Sequence, residues 1–175
     1  MRTITSAAAA AGLPFLLAGG HAVIAHGHQR ATFDVDFVVR RSDRDHWLKL
    51  TDGLGYRLHR EGVTFIQFNP PSGEEVPLDL MLVSDDTFAK LLAEAIPPPA
   101  MVPGGKMVSL NHLLALKCHA IKHGHPGRIV KDADDVIRLV KVNRLDLNAP
   151  GWRELFLKHG TQEFYEKVRR ACRED

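Results

Sequence analysis

Two aspartates one residue apart, Asp34 and Asp36, interrupt an apolar run that extends from Phe33 to Val39. On a β-strand, residues two apart face the same side, so both carboxylates project together while Phe33, Val35, Phe37 and Val39 line the opposite face. Two carboxylates side by side repel, and in a dry site one is driven to protonate. A divalent cation reverses that preference: Mg²⁺ takes oxygen ligands and is typically held by one or two carboxylates plus substrate phosphates. A third carboxylate, Asp79, stands in the apolar segment "VPLDLMLV". That pattern predicts a strand buried on both faces, where a lone carboxylate is costly unless paired or metal-bound. An arginine such as Arg57 is one candidate partner. The other is a shared ion: if the Asp79 strand lies beside the Asp34 strand, three carboxylates converge. Such a trio is a common way to hold two metal ions ~3.5–4 Å apart for in-line phosphoryl transfer.

The glycine pair Gly19-Gly20 follows a short apolar stretch and precedes a predicted helix. Glycines there let the backbone approach a ligand, and the helix start offers N–H groups and a positive dipole end to an anion. A tight turn needed only for packing is the structural alternative. The phosphate loop Gly-x-x-x-x-Gly-Lys-Ser/Thr is absent, and so is the dinucleotide fingerprint Gly-x-Gly-x-x-Gly. On a helix predicted from Leu110, the apolar stripe is Leu110, Leu113, Leu114 and Ile121, and Lys117 falls within it. A lysine aimed at the core pairs either with a core carboxylate or with a nucleotide phosphate. His119 and His123 lie on the side opposite the stripe, which predicts a solvated face, and His125 falls in an exposed loop. On the next helix, the stripe of Ile129, Ala133, Val136 and Val140 puts Asp132 at its edge, with Asp134 and Asp135 farther round. Asp132 is thus the acid expected to reach an interior site.

The elements that must position these groups read as follows. A helix is predicted over 6–12, strands over 15–18 and 31–40, and a short helix over 21–26 between them. A helix over 44–52 stops at Gly53. Strands over 56–59 and 63–68 come next, then a turn at 70–73, a strand over 76–83 and a helix over 87–95. The proline run 97–99 is a stiff connector and the expected boundary between a core at 1–96 and a C-terminal part at 97–175. That second part carries a short strand near 107–108 and helices over 110–122, 129–141 and 152–172, the last broken near Gly160. The order predicts an α+β fold with a mixed sheet flanked by helices and a helical C-terminal part. With 175 residues, 45% apolar and 25% charged, the chain can bury a core without disulfides. Its two cysteines form no C-x-x-C pair, which points to a reducing compartment. No stretch reaches the ~18 apolar residues needed to span a membrane. The early Arg2 and the apolar stretch after it mimic a secretory signal, but the alanine run reads better as a helix. A cytoplasmic location and no membrane partner are therefore expected. The net charge of +2 neither demands nor excludes a nucleic-acid partner, and the basic last quarter reads as solvated helix faces.

Together these residues resemble the nucleotidyltransferase fold of the polymerase-beta superfamily. Its signature is Gly-Gly or Gly-Ser, a spacer, Asp-x-Asp, and a third acid on a later strand. Here it is Gly19-Gly20, thirteen intervening residues, Asp34-Val35-Asp36, and Asp79. More narrowly, Arg30, Thr32, Asp34 and Asp36, followed by Lys117, Lys131, Asp132 and Asp135, resemble the AbiEii-type branch, which includes toxin components of toxin–antitoxin systems. The likeness covers about 17–140. Gly20 stands where many superfamily members carry the serine that grips the triphosphate, so only backbone donors remain there. The chain is also shorter than many toxin members, which implies a reduced acceptor-binding region. The resemblance implies transfer of a nucleoside monophosphate from an NTP to an acceptor hydroxyl on tRNA, protein or a small molecule. It implies a Mg²⁺ cofactor, with two ions and Mn²⁺ as a substitute, held by Asp34, Asp36 and Asp79. Gly19, Gly20, Arg30, Thr32 and Asp132 would contact nucleotide, and Lys117 would neutralise triphosphate charge. A cognate antitoxin is a further implied partner. A catalytically inactive nucleotide-binding or interaction module on the same fold is the alternative, and a structural metal-binding protein a third reading.

Overall fold

Two strands that carry the acids form the centre of the architecture. In the computed structural model, β2 (Val35–Arg40) and β5 (Leu78–Val83) pair in parallel, with Asp36 opposite Asp79 and Phe37 opposite Leu80. The structure describes residues 1–72, 75–100, 102–124 and 126–173, without the side chains of 126–128. His125 and Gly73, the last residue of the expected 70–73 turn, lie outside the described residues. The chain divides into two units: Met1–Ala25 with Arg30–Ser109, and His26–Gln29 with Leu110–Asp175.

The first unit begins with α1 (Arg2–Ala10), β1 (Leu16–Leu17) and α2 (Gly19–Ala25). After β2 a 3-10 turn leads into α3 (Arg44–Gly53), then β3 (Arg57–Glu61) and β4 (Phe65–Asn69). β5, α4 (Asp85–Ala93) and β6 (Lys106–Met107) complete it. The six strands form one mixed sheet in the order β3-β4-β5-β2-β1-β6. β1 runs antiparallel to β2 and parallel to β6, while β4 runs antiparallel to both β3 and β5. One sheet face is apolar and buried: Phe37, Leu80 and Ile66 stand in register across β2, β5 and β4. Phe15, Phe37 and Trp47 stack there, with ring centroids 4.5 to 6.2 Å apart. Helix α4 starts as its sequence dictates: the Ser84 hydroxyl accepts from the Thr87 N–H, and Asp85 and Asp86 occupy the first turn, where the helix dipole favours acids.

Three expectations change here. The strand carrying Asp79 is not buried on both faces: Leu78, Leu80 and Leu82 point into the core, but Met81 is 37% exposed. The Asp34 strand is shorter than the apolar run suggests. It begins at Val35, Asp34 sits on a bend before it, and Phe33 is 82% exposed instead of lining the core. The start of the expected 6–12 helix also moves, to Arg2, because the first turn of α1 is anchored by the N-terminal ammonium on Glu75 at 3.0 Å and by Thr3 donating to the same side chain at 2.8 Å.

The second unit is helical: α5 (Leu110–His123), α6 (Pro126–Val142), α7 (Pro150–His159) and α8 (Gln162–Ala171). The expected break near Gly160 separates α7 from α8. Thr161 caps α8 by accepting from the Phe164 N–H at 3.1 Å, and Phe156, Phe164 and Tyr165 close the contact between α7 and α8. The Tyr165 hydroxyl donates to the Leu147 carbonyl at 2.7 Å. His119 and His123 are exposed on α5, as the stripe predicts, with rings 4.6 Å apart. Among the described residues, no helix is long and apolar enough to cross a membrane. Cys118 is fully buried on α5, and burial pushes its thiol up to about 12. A thiol so raised stays protonated at pH 8, and the thiolate is the reactive form. Disulfide-exchange reagents at pH 8 should therefore titrate Cys172 in the native protein, and Cys118 only after denaturant is added.

Candidate active site

Asp34, Asp36 and Asp79 come together on the open face of the sheet, at the end where β2 and β5 begin. Each offers a carboxylate oxygen, and these three oxygens lie within 4.8 Å of one another. All three residues are half-buried. The parallel register puts Asp36 directly beside Asp79, and the bend at Asp34 brings the third carboxylate to the same spot. Thr32 fixes that bend by donating its hydroxyl to Asp34 Oδ1 at 3.0 Å.

The glycine pair is explained by these side chains. Gly19 has φ +55°, and a Cβ added there would lie 1.8 Å from Asp36 Oδ2. A Cβ on Gly20 would lie 2.2 Å from Thr32 Oγ1. The Gly20 N–H points at Asp36 Oδ2 over a long 3.4 Å. So the glycines make room for the trio and for the threonine that braces it. Gly19→Ala should therefore lose about 1–2 kcal/mol from its left-handed backbone. It should also displace the Asp36 side chain from the trio, and an ion held by these carboxylates would then bind about tenfold or more weakly, as when a ligand loses its support. Urea melts and Mn²⁺ titration of the variant measure the two effects.

Arg30 donates to the Ala31 carbonyl at 2.8 Å, and its guanidinium reaches the space beside Gly20. His21, on the first turn of α2, is held below its ordinary value by burial, with the nearby Asp34 carboxylate opposing that shift. The neutral imidazole is therefore favoured near neutral pH. Arg57, the arginine considered for Asp79, stands on the edge strand with its Cα opposite Asn69. Gln67 is the neighbour that reaches Asp79: its amide Nε2 donates to Oδ2 at 2.7 Å. Sequence reasoning missed Gln67. The available signal was a lone amide at an alternate position of "FIQFN", whose neighbours Ile66 and Phe68 are core residues.

Lys117 and Asp132 belong to the helical unit. Lys117 is buried, and its ammonium lies 2.5 Å from Asp132 Oδ1 and 2.7 Å from Asp135 Oδ2. Asp135, placed farther round the helix by the stripe, is the more buried acid at 1% exposure. The wheel reading brings Asp132 inward but misses Asp135, because it sees only the helix's own apolar residues, whereas the lysine on α5 pairs with both acids. Asp134 is exposed and pairs with Arg138 at 3.5 Å.

No family model and no curated protein matches the chain. Solved structures do. The solution structure of the antibiotic-resistance factor ANT(2'')-Ia superposes with a TM-score of 0.53 at 19% identity, covering 98% of this chain and 88% of that one. The crystal structure of ANT(2'')-Ia in complex with adenylyl-2''-tobramycin superposes with a TM-score of 0.51 at 20% identity, covering 98% and 93%. These neighbours are nucleotidyltransferases, and at such identities the likeness shows the fold: a mixed sheet with flanking helices of the nucleotidyltransferase kind.

Proposed function

We propose that this chain is a divalent-metal-dependent nucleotidyltransferase that moves a nucleoside monophosphate from an NTP to an acceptor hydroxyl. The observation that carries the proposal is the meeting of Asp34, on the bend before β2, with Asp36 and Asp79 on two strands in register, their oxygens within 4.8 Å of one another. The donor set suits a hard cation: all three groups offer oxygen. An octahedral Mg²⁺ with bonds of about 2.1 Å spans oxygens up to about 4.2 Å apart, so small side-chain rotations close the trio on an ion. Mn²⁺ fits the same donors. Bound metal supplies charge neutralisation on the triphosphate and orientation of the attacking and leaving oxygens.

The chain's own groups do the rest. The acceptor oxygen attacks the α-phosphorus, a new P–O bond forms, and the bond to pyrophosphate breaks. Asp79 takes the hydroxyl proton. The Gly19–Gly20 turn lies against the trio and would let the β- and γ-phosphates come close to its backbone, while Thr32 and Arg30 hold the loop that presents Asp34. Catalysis of this kind rests on positioning and charge stabilisation. For Lys117, pairing with two acids supports a structural role, and Asp132 shares it.

The neighbour bound to adenylyl-2''-tobramycin makes a small hydroxylated compound one acceptor to test. RNA and protein hydroxyls are the others. The AbiEii-type motif set adds a cognate antitoxin as a partner to look for. The test is incubation with each α-labelled NTP, Mg²⁺ and either tobramycin or a bacterial lysate, followed by detection of pyrophosphate and labelled product. Metal-dependent label transfer supports the reading. NTP binding without turnover in every arm points to an inactive module, and metal binding without NTP binding to a structural metal site.

A further inference from the structure

We infer that Gln67 is a positioning residue for Asp79, a neutral donor that fixes this carboxylate for the cation while leaving the negative charge of the trio intact. The inference rests on the metal-holding reading of Asp34, Asp36 and Asp79. Strand β5 lies between β4 and β2, so Asp79 has Gln67 in register on one side and Asp36 on the other. The amide reaches across the strand pair to Oδ2 at 2.7 Å. A carboxylate only accepts, so the nitrogen end of the amide faces it. The side chain is half-buried, and Ile66 and Phe68 hold its strand to the core, which limits how far the amide can swing.

The choice of residue type carries the argument. An unrestrained carboxylate beside two others rotates to relieve repulsion and presents no fixed lone pair. A lysine or arginine at this position would orient it but would also cancel one of the charges that attract the cation. An amide orients it and cancels nothing. Partners of this kind behind metal ligands typically contribute 10–100-fold in metal affinity or activity.

The experiment is Mn²⁺ binding to the metal-stripped full chain, read by electron paramagnetic resonance, for the wild type, Asp79→Asn, Gln67→Met and Gln67→Asn. Methionine keeps the length without the donor. Asparagine keeps the amide but is one methylene too short, and it answers the question if the methionine variant fails to fold. Both Gln67 variants should bind Mn²⁺ about 10–100-fold more weakly. Their circular dichroism should be unchanged, and their turnover should recover as metal is raised to saturation. A purely structural glutamine would leave the Mn²⁺ affinity unmoved, and that result overturns the inference while the metal reading stands. A wild type that binds no Mn²⁺ overturns both.

Discussion

Asp36→Asn should lower nucleotidyl transfer by about a thousandfold at saturating NTP and Mg²⁺ while leaving the fold intact. Asp36 is the middle member of the trio: its backbone carbonyl accepts from the Ala18 N–H at 2.9 Å, and its Cα pairs with Asp79. Its side chain fills the space that Gly19 leaves open. Asparagine has the same shape and still accepts from the Gly20 N–H, so packing is preserved and only the charge is lost. Metal-based charge stabilisation is worth several kcal/mol, and each 1.36 kcal/mol is tenfold in rate, which sets the figure at about a thousandfold. The stability effect has the opposite sign in chelator. Without a cation three like charges crowd within 4.8 Å, so removing one should hold or raise the melting temperature in EDTA. Mg²⁺ should then stabilise the variant less than the wild type. Pyrophosphate release and paired thermal melts measure both halves. Turnover within tenfold of wild type would remove Asp36 from the metal site.

What the sequence revealed of this site, and what it concealed, follows from the range of the interactions. Asp-x-Asp and the acid in "PLDLM" were legible because a carboxylate inside an apolar strand is locally anomalous. The glycine pair was legible as a place of close approach. What packs against it was not: the structure puts the side chains of Asp36 and Thr32 there, seventeen and twelve residues along the chain from Gly19 and Gly20, respectively. Side-chain hydrogen bonds across strands, such as Gln67 to Asp79, leave no periodic trace, because they depend on the pairing register between distant segments. The limits of β2 were misread for a related reason. Phe33 continues the apolar alternation, but the Thr32–Asp34 bond bends the chain before pairing begins. Alternation reports which face a residue would take in a strand, not where the strand stops.

The helical unit offers a second test, one of stability. Lys117→Met should destabilise the protein by about 3–5 kcal/mol, the cost of leaving buried charges without their partner. The ammonium is nearly excluded from water and sits between Asp132 and Asp135, of which Asp135 is almost wholly buried. Methionine matches the lysine stem in length and apolar character, so the loss is electrostatic and not a cavity. The triple variant Lys117→Met, Asp132→Asn, Asp135→Asn should regain most of it, because replacing all members of a buried ionic group by neutral side chains is often close to neutral. Urea unfolding of the single and triple variants measures this, with the denaturant slope checked for constancy. A lysine whose task is to bind triphosphate behaves differently: its loss raises the KM for NTP and leaves the urea midpoint where it was. The two acids within 2.7 Å of the ammonium favour the first outcome, because a cation already held by two carboxylates has little charge left to offer a phosphate.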